Sequence, residues 1–150
     1  RSSRSHLLES SNMKAFLTAL TFFLSVSSLA QVKVVASTAD IAALVQAVGL
    51  DLVDVTSIAR GTDDPHTIEA KPSFMLRLRD AQLVVANGIS LEIGWLPGLI
   101  KGSRNPKIAP GSSGYLELGK SVEPLERPKG KITRAMGDVH PESNPHFLLD

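Results

Sequence analysis

Three short apolar runs, Val32 to Ser37, Leu52 to Ile58 and Leu83 to Ala86, alternate with stretches of helical character, and this alternation limits the fold more than any other feature. Runs of this length, rich in β-branched residues and bounded by polar or turn-forming ones, read as strands. After the first, Ile41, Leu44, Val45 and Val48 recur at i, i+3, i+4 and i+7, the spacing of one helical face. Ser37-Thr38 can cap that helix, and Gly49 suits its end. Pro72 and Ser73 open a second helix, Phe74 to Asp80, although Phe74, Leu76 and Leu78 alternate less cleanly than a helix asks. Glu92 to Ile100 reads as a third, turning Trp95, Leu96 and Leu99 to a core and shortened by Gly94, Pro97 and Gly98. Lys107-Ile108-Ala109 reads as a fourth, brief strand, and Pro110 to Gly137 as a long connection with room for one small hairpin. The expectation is an α/β fold, a parallel sheet flanked by helices on both faces. Right-handed crossovers then gather the loops at the C-terminal ends of the strands along one edge, where open α/β sheets bind ligands.

The chain starts at Arg1 and stops at Asp150 inside what reads as a loop, which suits a fragment. Met13-Lys14, the apolar run Ala15 to Val26 and the small-x-small pattern Ser28-Leu29-Ala30 read as a signal peptide cleaved after Ala30. The run is shorter than the roughly 20 residues of a spanning helix. The expected organisation is therefore 1–12 as a non-native overhang, 13–30 as signal peptide and 31–150 as one exported, soluble domain. Sixteen Lys and Arg against fifteen Asp and Glu are scattered in mixed sign, without the basic stripe of a nucleic-acid binder. Cysteine is absent, which removes disulfides, thiolate ligands and a lipid-anchor cysteine from this stretch. Imidazole and carboxylate are left as the strong metal ligands.

Three of the four histidines sit beside Asp, Asn or Pro in loops: His66 after Asp64-Pro65, His140 before Pro141, and His146 after Asn144-Pro145. Proline stiffens the backbone around each imidazole, and a stiff loop needs less ordering when it binds an ion. A lone surface histidine beside a proline is ordinarily a solvated loop residue. Two Asx-Pro-His triplets in one cysteine-free chain make divalent-metal ligation the stronger reading, with His66 as the first ligand. Their separation of 80 residues matches no compact finger and no H-E-x-x-H helix, so only the fold can join them. Gly111-Ser112-Ser113-Gly114 lacks the Lys-Ser/Thr of a phosphate loop, and Asn87 to Glu92 lacks the G-x-G-x-x-G spacing of a nucleotide turn. Asp63, Asp64 and Glu69 read as supporting or solvated residues.

The stretches Val34-Val35-Ala36-Ser37 with Asp40-Ile41, Asp64 to Glu69 with Lys71-Pro72-Ser73, Leu83 to Glu92 with Trp95-Leu96, and Asn144 to Asp150 together resemble the N-terminal lobe of the cluster A-I solute-binding proteins of zinc and manganese ABC transporters. The resemblance covers essentially all of 31–150. It implies two α/β lobes joined by a long helix, with the metal in the cleft between them and the C-terminal lobe and helix beyond Asp150. It implies His66 and His146 as the N-lobe metal ligands, with the rest of the ligand set beyond Asp150. His140 lies outside the family-wide set and stands as an accessory candidate. The long His-rich loop of some zinc members has no counterpart in Pro110 to Gly137. The implied function is a periplasmic, monomeric, non-enzymatic carrier that captures zinc, or alternatively manganese, and delivers it to a membrane permease. The rival readings are a secreted metal-dependent hydrolase with Glu69 or Glu142 as general base, and an adhesin-like surface protein of the same fold.

Overall fold

The computed structural model describes residues 30–123, 125, 127, 128, 130, 140 and 142–148. The overhang and signal peptide expected over 1–30 lie outside these residues, Ala30 excepted, as do 131–139 and Pro141. Among the described residues no helix is long and apolar enough to cross a membrane.

From Gln31 onward the chain forms one compact unit around a four-stranded sheet. Strand β1 (Val32–Ala36) is followed by helix α1 (Ala39–Gly49), β2 (Val53–Ser57), α2 (Pro72–Asp80), β3 (Leu83–Ala86), α3 (Leu96–Ser103) and β4 (Tyr115–Glu117). All pairings are parallel, in the order β2-β1-β3-β4. The register runs Val34 opposite Val55 on one side of β1 and opposite Leu83 on the other. The order reverses between β1 and β3, so the crevice at their C-terminal ends is the switch point where ligands of open sheets bind.

Both faces of the sheet are covered, because successive strand residues point to opposite sides. Val35, Val84 and Ala86 face a core built with Leu78 of α2, Leu96, Leu99 and Ile100 of α3, and Trp95 and Ile108. Val34, Ala36 and Val85 face Ile41, with Ala42 and Val45 packed alongside from α1. Burying side chains of this size stabilises by about 1.5–3 kcal/mol each before conformational entropy is subtracted.

Four expectations need correction. On α1 only Ile41 is buried, whereas Leu44 and Val48 are exposed, Val48 by 86%. Ile41, Ala42 and Val45 are the side chains that meet the sheet, so the contact line runs through i and i+4 and leaves the i+3 and i+7 positions off it. Gly49 ends α1 as expected, with an ordinary φ of −85°, and the residue with positive φ is the following Leu50 at 48°. What Gly49 supplies is room: a Cβ there would lie 2.5 Å from Val53 Cγ2. The third helix starts at Leu96 rather than Glu92, because Pro97 fits a first helical turn and Glu92 is engaged elsewhere. Lys107-Ile108-Ala109 is no strand. Pro106–Ile108 is a 3-10 turn whose cap, Asn105, accepts from the Lys107 N–H, and the fourth strand lies further on, at Tyr115–Glu117. Ile108 was apolar because it is fully buried, not because it is extended. That strand lies in the stretch read as a loop with a hairpin, and it pairs parallel with β3 instead.

Candidate metal centre

The loop after β2 carries the first histidine to the switch-point edge. Ile58 and Ala59 continue the strand by donating to the carbonyls of Ala36 and Ser37 at 3.0 and 2.9 Å. Arg60 then grips Asp63 through Nε, NH2 and its own backbone N–H, which holds the Asp63 carboxyl below its ordinary range. Asp64 accepts the His66 N–H on Oδ1 at 2.9 Å and the Thr67 hydroxyl on Oδ2 at 3.2 Å. This is an Asx turn: a short side-chain acceptor replaces a backbone one and fixes the two residues that follow.

The second triplet repeats the device. Asn144 accepts the His146 N–H on Oδ1, again at 2.9 Å. Asn87, at the end of β3, donates from Nδ2 to the Pro145 carbonyl at 2.7 Å, which ties this distant loop to the crevice.

The result is that residues 80 positions apart share one place. The rings of His66 and His146 lie edge to face with centroids 5.4 Å apart, and both residues are half-buried. His140, also half-buried, stacks on His66 at 5.0 Å with a 27° angle between ring planes. The accessory candidate therefore stands beside the expected pair. Among the described residues no group of three or more His, Asp or Glu side chains is arranged to hold a metal ion by itself. Glu69 is exposed and pairs with Lys71 at 3.7 Å; Glu142 is exposed.

Sequence reasoning missed Asn87, Glu92 and Trp95. Glu92 was read as the start of a helix, yet it is only 4% exposed and accepts the Asn87 N–H at 2.7 Å and the Gly88 N–H at 3.2 Å. Those bonds shape a turn in which Gly88, Ile89 and Ser90 all have positive φ. Trp95 donates its indole N–H to the Pro65 carbonyl at 2.8 Å. The available signal was positional, since an Asn and a Glu closing the strand beside a switch point stand where a site is built.

The His66 N–H, and after it the Thr67 hydroxyl, hold the Asp64 carboxyl below its ordinary value of 3.8. A carboxylate lowered on folding contributes fully above its unfolded value, and its contribution is lost as pH falls through the folded one. The Asp64 carboxyl carbon shift, followed by NMR, should therefore titrate with a midpoint below 3.8, and at fixed neutral pH the His66 amide proton should show the downfield shift of a hydrogen-bonded N–H. A midpoint at pH 5 would contradict the turn. Asp64→Asn should keep the amide shift, since Asn144 performs the same task in the second loop, and Asp64→Ala should lose it.

The family described as zinc-uptake complex component A, periplasmic (ZnuA), matches residues 34–150. A manganese ABC transporter substrate-binding lipoprotein, PsaA of Streptococcus mitis, is 27% identical over 113 residues, 73% of this chain and 35% of its own. An iron ABC transporter substrate-binding lipoprotein, MtsA of Streptococcus pyogenes serotype M1, is 34% identical over 80 residues, 51% of this chain and 26% of its own. A crystal structure of a zinc-bound ZnuA deletion mutant superposes with a TM-score of 0.63 at 25% identity, over 80% of this chain and 40% of that one. The chain thus spans less than half the length of these relatives. With a four-stranded parallel sheet, a superposition on ZnuA over 80% of the chain and a family match over residues 34–150, the chain belongs to the ZnuA family of metal ABC transporter substrate-binding proteins.

Proposed function

We propose that residues 31–150 are the metal-capturing N-terminal lobe of an exported, periplasmic solute-binding protein that takes up a divalent cation, zinc first, and delivers it to an ABC permease. The cation is cargo, and the protein is a carrier rather than an enzyme. His66 and His146 are the lobe's ligands, and the remaining ligands come from a second lobe across the cleft.

The observation that carries this reading is the 5.4 Å separation of the two rings at the switch point. Zinc–imidazole bonds of about 2.0–2.1 Å at a tetrahedral angle place ring centroids on the order of 5 Å apart. A pair of rings 5.4 Å apart has the spacing that two imidazoles on one ion require, which supports the reading. His140 stacks on His66 at 5.0 Å, close enough to assist.

Imidazole suits zinc, while a ligand set richer in carboxylate suits manganese. Zinc is therefore favoured by the half of the site in view. Relatives named for manganese and iron make the cleft's other half the deciding part. Two imidazoles alone bind weakly, so tight capture belongs to the closed, two-lobed protein. Closure around the ion also separates a carrier from a zinc hydrolase, which keeps a coordination position open for water.

Titration of the complete protein with zinc, manganese and iron(II) should show one site, tightest for zinc, with a dissociation constant below about 1 μM. Absence of saturable binding to all three would overturn the proposal.

A further inference from the structure

The short segment from Asn87 to Trp95 grips both imidazole-bearing loops at equivalent points. Trp95 Nε1 donates to the carbonyl of Pro65, and Asn87 Nδ2 donates to the carbonyl of Pro145. Each carbonyl belongs to the peptide unit whose nitrogen is that of the histidine. The same two peptide units have their N–H groups held by Asp64 and Asn144. A peptide unit is planar and rigid, so fixing its C=O and its N–H together fixes its orientation and the position of the Cα that follows. Both histidine Cα atoms are placed by four hydrogen bonds of 2.7–2.9 Å.

The segment that does the gripping is itself immobilised. Asn87 and Trp95 are each 4% exposed. The Asn87 N–H is held by Glu92 Oε1 and approached by Ser37 Oγ at 3.3 Å, and the Trp95 ring lies in the core against α3. One rigid segment thus references both loops to the same sheet edge.

We infer that Asn87 and Trp95 are positioning residues that pre-set the separation of the His66 and His146 imidazoles, and through it the affinity for the cation. Neither touches the ion. Asn87 acts through His146, and Trp95 acts through His66. The inference rests on the ligand reading given above. A pre-arranged pair loses little conformational freedom on binding, whereas a loop freed at one carbonyl must be ordered by the ion.

The test is a set of double-mutant cycles in the complete protein, with zinc affinity read by competition against a chelator. Trp95→Phe and Asn87→Ala should each weaken zinc about tenfold, the scale found for groups that orient metal ligands. The loss from Trp95→Phe should vanish in a His66→Ala background and persist in His146→Ala. The loss from Asn87→Ala should show the reverse pattern. Circular dichroism establishes that each variant is folded. Should Trp95→Phe not fold, the benzothienyl analogue of tryptophan keeps the ring's shape and removes only the N–H. Wild-type affinity in the folded variants would overturn the inference. So would an equal loss in every background, which marks a general weakening of the lobe. If His66→Ala and His146→Ala leave affinity intact, the ligand reading fails and takes this inference with it. If they abolish tight binding while Trp95→Phe and Asn87→Ala do not weaken it, only the positioning role fails.

Discussion

Replacing Glu92 with alanine is expected to remove about 3 kcal/mol of folding stability. The carboxylate is buried and accepts two backbone N–H groups, those of Asn87 and Gly88. Truncation leaves both donors without that acceptor in the interior, and each buried donor left unsatisfied costs about 1–3 kcal/mol. The Asn87 N–H keeps a partial alternative in Ser37 Oγ at 3.3 Å, which holds the total toward the lower part of the roughly 2–6 kcal/mol that two such donors imply. Glu92→Gln retains one acceptor oxygen and turns an amide donor toward the second N–H, so its loss should be smaller but real. Urea denaturation reads both values, and an unchanged slope would show that the unfolded state is not the cause. Because Asn87 depends on Glu92 for its place, zinc affinity in the complete protein should fall in Glu92→Ala as well. A stability change within about 0.5 kcal/mol, the range of an ordinary surface substitution, would contradict the assigned role.

The fold was legible wherever local chemistry and tertiary demand agreed. Leu83 to Ala86 is a strand with the bounds that its continuous apolar run marks, because a parallel strand covered on both faces has no use for polar residues. Thr38 caps α1 by accepting the Ile41 N–H, as its type and position suggest. Legibility failed where burial and conformation part company. Ile108 is in the core on a 3-10 turn, so hydrophobicity alone could not tell it from a strand. Tyr115–Glu117 is an edge strand of three residues in polar surroundings, too short for a periodic signal. Glu92 read as the start of a helix, and only the surrounding backbone reveals that its carboxylate is an internal acceptor.

The candidate site divides along the same line. The residue types were readable, since Asx-Pro-His is a local pattern and the Asx turn closes within the triplet. Their meeting was not, because 80 residues of chain separate them and no local rule spans that distance. The resemblance to metal-binding lobes supplied that link. Asn87 and Trp95, which hold the two loops, act through one side-chain donor each toward a carbonyl, and a sequence does not display carbonyl partners.

The second large effect concerns the two proposed ligands, His66 and His146. Apparent zinc affinities of about 10–16 kcal/mol for four-ligand structural sites correspond to roughly 3 kcal/mol per ligand, or about two orders of magnitude in affinity. His66→Ala and His146→Ala should each lower zinc affinity by that amount in the complete protein, and His140→Ala should lower it less. Neither ligand substitution removes a core contact, so the thermal stability of the metal-free form should change little. The direct measurement is the zinc dissociation constant of these three variants beside the parent, obtained by competition with a chelator of known affinity. A loss of about a hundredfold in both His66→Ala and His146→Ala is the expected result, and parental affinity in either folded variant would contradict the shared-ion site.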